Sequence, residues 1–174
     1  MEQAGRGLPP RALRRAAGTR EPGRRRCVVT AADVADLLPD EAVVLAGRAG
    51  SRDEAIEEAG RLLVGVGAVE SSYVDAMLER EQSVSTAMGA GLAIPHGTNE
   101  AKGSIHRTAL SFVRHAAPVD WSGHPVEFVV GVAGVGDDHL ELLGKLAEVF
   151  TDPDQVDRLR AATSAEEVRA ALGG

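Results

Sequence analysis

The chain has 174 residues, of which 44% are apolar but only 3% aromatic, and a formal net charge of −7. That length suits one domain with a core of small aliphatic side chains. Residues 1–26 hold eight arginines against Glu2 and Glu21, or +6, so the remainder carries −13, and an acidic body poor in aromatics excludes general nucleic-acid binding through phosphate attraction or base stacking.

Taken in order, Met1 to Arg26 is rich in Arg, Gly, Ala and Pro with almost no large apolar side chain. It lacks the surface needed to offset the entropy of ordering, and we expect a disordered extension ahead of a domain spanning 27–174. Cys27 is the lone cysteine, which leaves no intrachain disulfide and fits a reducing cytoplasm. No apolar run approaches the roughly 20 residues of a membrane span, and no apolar signal core follows the arginines, so the expected location is cytoplasmic.

Thr30-Ala-Ala-Asp33 resembles a capping box opening a short helix through Val34, Leu37 and Leu38, and Val43 to Leu45 reads as a first strand. Ser51-Arg-Asp-Glu54 is a clearer capping box, followed at helical spacing by Ile56, Ala59, Leu63 and Val66. Ser72 with Asp75 starts another helix, on which Val74, Met77, Leu78 and Glu81 share one face and Arg80 points elsewhere. Read alone, Arg80 is as well a solvated helical arginine.

Thr86 to Thr98 reads as a mobile approach punctuated by Gly89 and Gly91, a short apolar strand at Leu92 to Ile94, and a histidine, His96, fixed at the strand's exit. Pro95 fixes φ and removes a donor, so regular pairing should end there. Gly97 leaves space beside the ring, and Thr98 offers a hydroxyl and a helix N-cap for Asn99 to Lys102. Space plus amide donors suits an anion, although a Pro-Gly turn with an exposed histidine has the same sequence.

Thr108 to Val113 alternates with period two and predicts a half-buried strand. Val119 to Trp121 predicts a short edge strand or hairpin arm with Gly123 in the turn, and Val126 to Ala133 a central strand. Gly134 to His139 then leads into a helix through Leu142, Leu143, Leu146, Val149 and Phe150. A strand feeding a glycine-containing loop and a helix N-terminus makes His139 a second candidate site residue. Pro153 opens a further helix and Ser164-Ala-Glu-Glu167 caps the last.

Tyr73-Val-Asp-Ala-Met-Leu-Glu-Arg-Glu81 and Leu92-Ala-Ile-Pro-His-Gly-Thr-Asn-Glu-Ala-Lys102 together resemble the mannitol/fructose-type enzyme IIA domain of the bacterial phosphoenolpyruvate-dependent sugar phosphotransferase system. The resemblance extends, at lower density, from about Val43 to about Leu172. It implies an α/β single domain, with a mixed parallel and antiparallel sheet of about five strands flanked by helices on both faces. It implies a phosphocarrier in which His96 accepts a phosphoryl group from the carrier protein HPr and passes it to a cysteine of a IIB domain of a membrane transporter, for mannitol uptake. Arg80 would stabilise charge, His139 would hydrogen-bond the phosphoryl group, and Thr98 would orient the His96 ring. Many relatives carry a carboxylate where this chain has Ala90.

Other chemistries fit poorly. His106, His115 and His124 recur about every nine residues, a spacing that does not converge on one ion, and zinc sites favour tighter pairs. There is no Gly-x-Ser-x-Gly elbow, Walker loop or dinucleotide fingerprint, so no metal or cofactor is expected and the phosphoryl donor should be another protein. No direct sugar binding is expected, since in such systems the membrane component binds the sugar. The alternatives are a regulatory, nitrogen-type enzyme IIA that controls partners through its phosphorylation state, or an enzyme IIA serving fructose or another polyol.

Overall fold

A computed structural model of the chain describes residues 31–136 and 138–173. The Arg-rich extension 1–26 and the cap at Thr30 lie outside the described residues. Five strands form one sheet: β1 (Val43–Gly47), β2 (Ala87–Gly89), β3 (Leu92–Ala93), β4 (Ala109–Trp121) and β5 (His124–Ala133), in the order β1-β4-β5-β3-β2. β1 runs parallel to β4 and β3 parallel to β5, while β4–β5 and β2–β3 are antiparallel. The expected α/β domain with a mixed five-stranded sheet is therefore present.

Six helices cover both faces: α1 (Ala31–Asp36), α2 (Arg52–Gly65), α3 (Ser72–Ser83), α4 (Asp138–Phe150), α5 (Pro153–Ala161) and α6 (Ala165–Leu172). The period of two along the strands sorts their side chains between two cores. Leu92, Ile94, Phe128, Val130 and Val132 pack with α1, α4, α5 and α6. Ala93, Val113, Val129, Ala133 and Trp121 face α2 and α3. β5, the apolar run of the sequence, is the middle strand and is buried from Phe128 to Ala133.

The caps follow local chemistry. Ser51 accepts from the Glu54 amide and Ser164 from the Glu167 amide, while Asp152 caps the helix that opens at Pro153. α3 does begin at Ser72, but no cap side chain bonds its first turn; the Ser72 hydroxyl instead lies 3.2 Å from that of Ser104.

Two strands differ from expectation. Ala109 to Val113 and Val119 to Trp121 are parts of one long β4, which starts one residue after the expected Thr108, with an irregular register between Arg114 and Val119. Ala116, Ala117 and Pro118 are exposed there, and a proline that cannot donate to the ladder is tolerated at such an irregularity. The hairpin to β5 turns at Ser122 (φ 57°) and Gly123 (φ 90°), the paired left-handed residues that suit the twist of a two-residue hairpin. The expected mobile approach to His96 contains β2, which turns back into β3 through Gly89, Ala90 and Gly91, all at positive φ.

Candidate functional site

Parallel pairing brings the site together at one end of the sheet. Leu92 opposes Phe128 and Ala93 opposes Val129, and the register continues past Pro95 as a bridge between His96 and Val132, with the Val132 amide donating to the Pro95 carbonyl at 3.0 Å. Pairing thus outlasts Pro95, because the proline lost only a donor and its carbonyl still accepts. On the other side the Ile94 amide donates to the Thr86 carbonyl at 3.0 Å. His96 stands where β3 and β5 both end, the crevice outside the carboxyl ends of parallel strands.

β5 then leads through Gly134 into α4, whose second residue is His139. A Cβ at Gly134 would lie 2.7 Å from the His139 Cα, so only glycine lets the helix start this close to the strand. The two imidazoles meet with ring centroids 4.6 Å apart at an interplanar angle of 61°.

His96 is only 8% exposed, which excludes the exposed turn histidine. Its Nδ1 lies 2.9 Å from the Ile94 carbonyl oxygen. A carbonyl can only accept, so Nδ1 carries the proton and Nε2 carries the lone pair. Nε2 has no hydrogen-bond partner among the described residues and keeps solvent access. Burial lowers the pKa of His96, and the nearby Arg80 charge lowers it further against the opposing pulls of the Ile94 carbonyl and Glu81. His139 is pushed down to about 4, chiefly by burial and then by the charges of His96, Lys102 and Arg80. Both rings are neutral at pH 7.

Arg80 is half-buried near the end of α3, and one guanidinium nitrogen donates to the Val84 carbonyl at 2.8 Å. It makes no ion pair with a carboxylate among the described residues. Ala90 lies at the exposed tip of the β2–β3 hairpin. The site therefore joins two neutral imidazoles to the field of an uncompensated guanidinium, with the exposed Lys102 near His139.

Two expectations are corrected. The ring orientation assigned to Thr98 is supplied by the Ile94 carbonyl, and Thr98, although it precedes a short 3-10 helix at Asn99–Ser104, makes no side-chain cap bond. The space beside Gly97 is not open to a ligand, because a Cβ there would fall 2.4 Å from the Tyr73 ring. The Tyr73 hydroxyl accepts from the Gly97 amide at 2.9 Å and donates to the Val132 carbonyl at 2.9 Å. That amide is occupied, and the tyrosine clamps the His96 turn to β5.

Tyr73 and Glu81 were not among the expected site residues. Glu81 is 4% exposed and accepts from the Trp121 indole at 2.6 Å and from the amide and hydroxyl of Thr86. The signal for it was its place on the face of Met77, a carboxylate on an apolar stripe. Nothing local signals Tyr73, whose partners are 24 and 59 residues away. Among the described residues no group of histidine, cysteine and carboxylate side chains could hold a metal ion, and no helix is long and apolar enough to cross a membrane.

Comparison with known proteins places the chain in a family. The mannitol-specific phosphotransferase enzyme IIA component of Staphylococcus aureus is 46% identical over 136 residues, 78% of this chain and 94% of that protein. The fold superposes on enzyme IIA-mannitol of Escherichia coli, determined in complex with phosphorylated enzyme IIB-mannitol, with a TM-score of 0.72 at 33% identity over 79% of this chain and 99% of that one. It also superposes on the nitrogen regulatory protein IIA-Ntr of Neisseria meningitidis, with a TM-score of 0.71 at 33% identity over 80% and 98%. Residues 36–173 match the family described as phosphoenolpyruvate-dependent sugar phosphotransferase system, EIIA 2, and the chain belongs to that family as a phosphotransferase enzyme IIA component of the mannitol type.

Proposed function

We propose that this chain takes a phosphoryl group from the phosphohistidine of HPr onto Nε2 of His96 and passes it to a cysteine of a IIB domain, in the cytoplasm, for the uptake and phosphorylation of mannitol. The observation that carries the proposal is the state of the His96 ring: neutral, with its proton held on Nδ1 by the Ile94 carbonyl and its lone pair on a solvent-accessible Nε2. A neutral imidazole can attack phosphorus in line, and the protein's task is then positioning and charge stabilisation.

Arg80 holds phosphoryl oxygens through the donors that the Val84 carbonyl leaves free, using the planar fork that suits such oxygens. His139, neutral and edge-on to His96, donates a hydrogen bond to the same group. Tyr73 fixes the turn so that the attacking nitrogen keeps its aim. Neither metal nor cofactor enters this chemistry. The mannitol-specific relative supports the choice of sugar, and the superposition on a IIA–IIB complex supports the acceptor.

The test supplies labelled phosphoenolpyruvate with enzyme I and HPr to the wild type and to His96→Ala, then adds a mannitol IIB domain. Label is expected on the wild type alone and is expected to move to the IIB cysteine. Label retained by the alanine variant would refute the assignment.

A second reading, regulation by phosphorylation state, is favoured by the equally good superposition on IIA-Ntr. Against it stand the Asn99 to Lys102 segment, the Tyr73 to Glu81 segment and the 46% identity to a mannitol component. Failure to phosphorylate any IIB domain, together with recovery of a kinase or channel by the phosphorylated or unphosphorylated form alone, would select regulation.

A further inference from the structure

His96 is tied to a buried carboxylate by three hydrogen bonds that pass through the backbones of Ile94 and Thr86. Its Nδ1 donates to the Ile94 carbonyl at 2.9 Å, and the Ile94 amide donates to the Thr86 carbonyl at 3.0 Å. The Thr86 amide donates to Oε2 of Glu81 at 3.0 Å, with the Thr86 hydroxyl on the same oxygen, while Oε1 accepts from the Trp121 indole at 2.6 Å. Glu81 is 4% exposed and forms no ion pair among the described residues. Three neutral donors satisfy its lone pairs without cancelling its charge.

That charge acts on His96 in the direction that favours a cationic ring, as does the Ile94 carbonyl. Opposing them are burial and Arg80 of α3; His139 of α4 faces the ring as a neutral group, and the charge of Lys102 acts on His139. In the free protein the opposition prevails and the ring is a neutral nucleophile. A bound phosphoryl group changes the balance, because its oxygens neutralise Arg80 and add negative charge of their own, leaving burial alone to oppose Glu81 and the Ile94 carbonyl.

Building on the phosphoryl transfer described above, we propose that Glu81 is the buried counter-charge that keeps Nδ1 of His96 protonated while Nε2 carries phosphorus, so that the leaving group is a neutral imidazole and not an imidazole anion. The electron balance is simple. On loading, the Nε2 lone pair forms the new N–P bond as the donor histidine's N–P bond breaks and its pair returns to the donor ring. The His96 ring, still holding its Nδ1 proton, now carries one positive charge. On unloading, a cysteine thiolate attacks phosphorus, the Nε2–P pair stays on Nε2, and the ring is again neutral with Nδ1–H. No proton moves in either step. Had Nδ1 lost its proton, the leaving group would be an imidazole anion, a much poorer one. Glu81 touches no reacting atom and is a positioning residue, comparable to the carboxylate that holds and stabilises an imidazolium in a hydrolase triad.

The test follows the ¹⁵N shifts of the His96 ring against pH in full-length protein phosphorylated from phosphoenolpyruvate, enzyme I and HPr. In the folded wild type, Nδ1 is expected to lose its proton at a higher pH than in the same phosphoprotein unfolded in urea. Glu81→Gln is expected to lower that midpoint by about one unit, a tenfold loss of proton affinity, and to slow transfer to a IIB domain at pH 8. Glu81→Asp, which keeps the charge, should restore most of both. An unchanged midpoint in Glu81→Gln would overturn the role of Glu81 while leaving His96 as the carrier. Should the glutamine variant not fold, a wild-type midpoint no higher than that of the unfolded protein overturns the proposal, and a higher one supports it. Absence of any label on wild-type His96 would refute the transfer itself and this inference with it.

Discussion

Two buried histidines stand on this sheet in different circumstances. His96 ends β3 and His115 lies in β4 opposite Gly47 of β1. They are 8% and 2% exposed, and burial lowers the pKa of both. His96 has one nitrogen tied to a carbonyl and the other open, beside a second imidazole and under the field of a guanidinium. Among the described residues neither nitrogen of His115 makes a hydrogen bond of good geometry, although the Gly47 backbone is close enough to favour its protonated form; its charged neighbour is Glu58, one of whose oxygens also lacks a partner. Burial makes both rings neutral. What separates a nucleophile from a packed side chain is the fixed tautomer, the lone pair with no partner among the described residues and the nearby cation that forms no ion pair among them.

Removing the cation breaks the comparison most severely. Arg80→Met should leave the fold intact, since the guanidinium's single described bond is to the exposed Val84, yet remove a donor aimed at developing charge. Loss of one such donor costs about 10²–10³-fold in rate, and we expect a loss of that order in phosphorylation of His96 by phospho-HPr. Arg80→Lys should recover only part, since a point charge cannot grip two oxygens in one plane. In Arg80→Met the His96 pKa should also rise, because the Arg80 charge is among the causes that lower it. A methionine variant phosphorylated at the wild-type rate would remove Arg80 from the site.

The next effect is geometric and belongs to the His96 side alone. Gly97→Ala places a methyl group 2.4 Å from a Tyr73 ring that is itself pinned by two hydrogen bonds. Overpacking of this kind costs about 1–3 kcal/mol, and here the strain falls on the turn that aims Nε2. We expect a lower melting temperature together with a larger proportional loss of transfer. A loss of stability with full transfer would mean that the turn tolerates displacement.

The acceptor's pH dependence sharpens the contrast between rate and stability. Transfer should fail on acidification as His96 gains a proton on Nε2, with a midpoint below the reference value of about 6.5 because its pKa is lowered. Stability should fall over a broader range. His96, His115 and His139 all have lowered pKa values, His139 to about 4, so between about 6.5 and 4 the unfolded chain binds protons that the folded one does not. Stability then decreases as pH falls. Transfer rates that stayed flat to pH 4 would show that the neutral ring is not the nucleophile.

Much of this was legible because the chemistry is local. The continuous apolar run of β5, the capping boxes at Ser51 and Ser164, and the sequence around His96 each report on a few adjacent residues. The parts that escaped depend on distant contacts. Nothing near Thr98 reveals that the Ile94 carbonyl reaches the ring first, since that bond depends on how the chain turns after Pro95. The space left by Gly97 looked like room for an anion until a tyrosine 24 residues earlier filled it. β4 reads as two strands in the sequence because the alternation of Thr108 to Val113 does not continue through Ala116-Ala-Pro118, where an irregular register carries the strand on.

The smallest expected effect tests the other histidine. His115→Leu replaces an imidazole that makes no hydrogen bond of good geometry among the described residues with an apolar group of similar size, and burying poorly partnered polar atoms costs free energy that such a replacement does not incur. The ring lies against Gly47, where even a Cβ would come within 2.5 Å of it, so the substituent must stay within the volume the ring already occupies. We expect phosphorylation of His96 to be unchanged and stability at pH 7 to change by less than about 1 kcal/mol. The distinguishing measurement is thermal unfolding at pH 7 and pH 5. Part of the wild type's acid loss comes from the proton that unfolded His115 takes up and the buried ring resists. The leucine variant lacks that site and should lose less on the same descent. Equal losses in the two proteins would mean that protonated His115 is accepted in the fold by pairing with Glu58, and the two buried histidines would then differ in their tolerance of charge as well as in their partners.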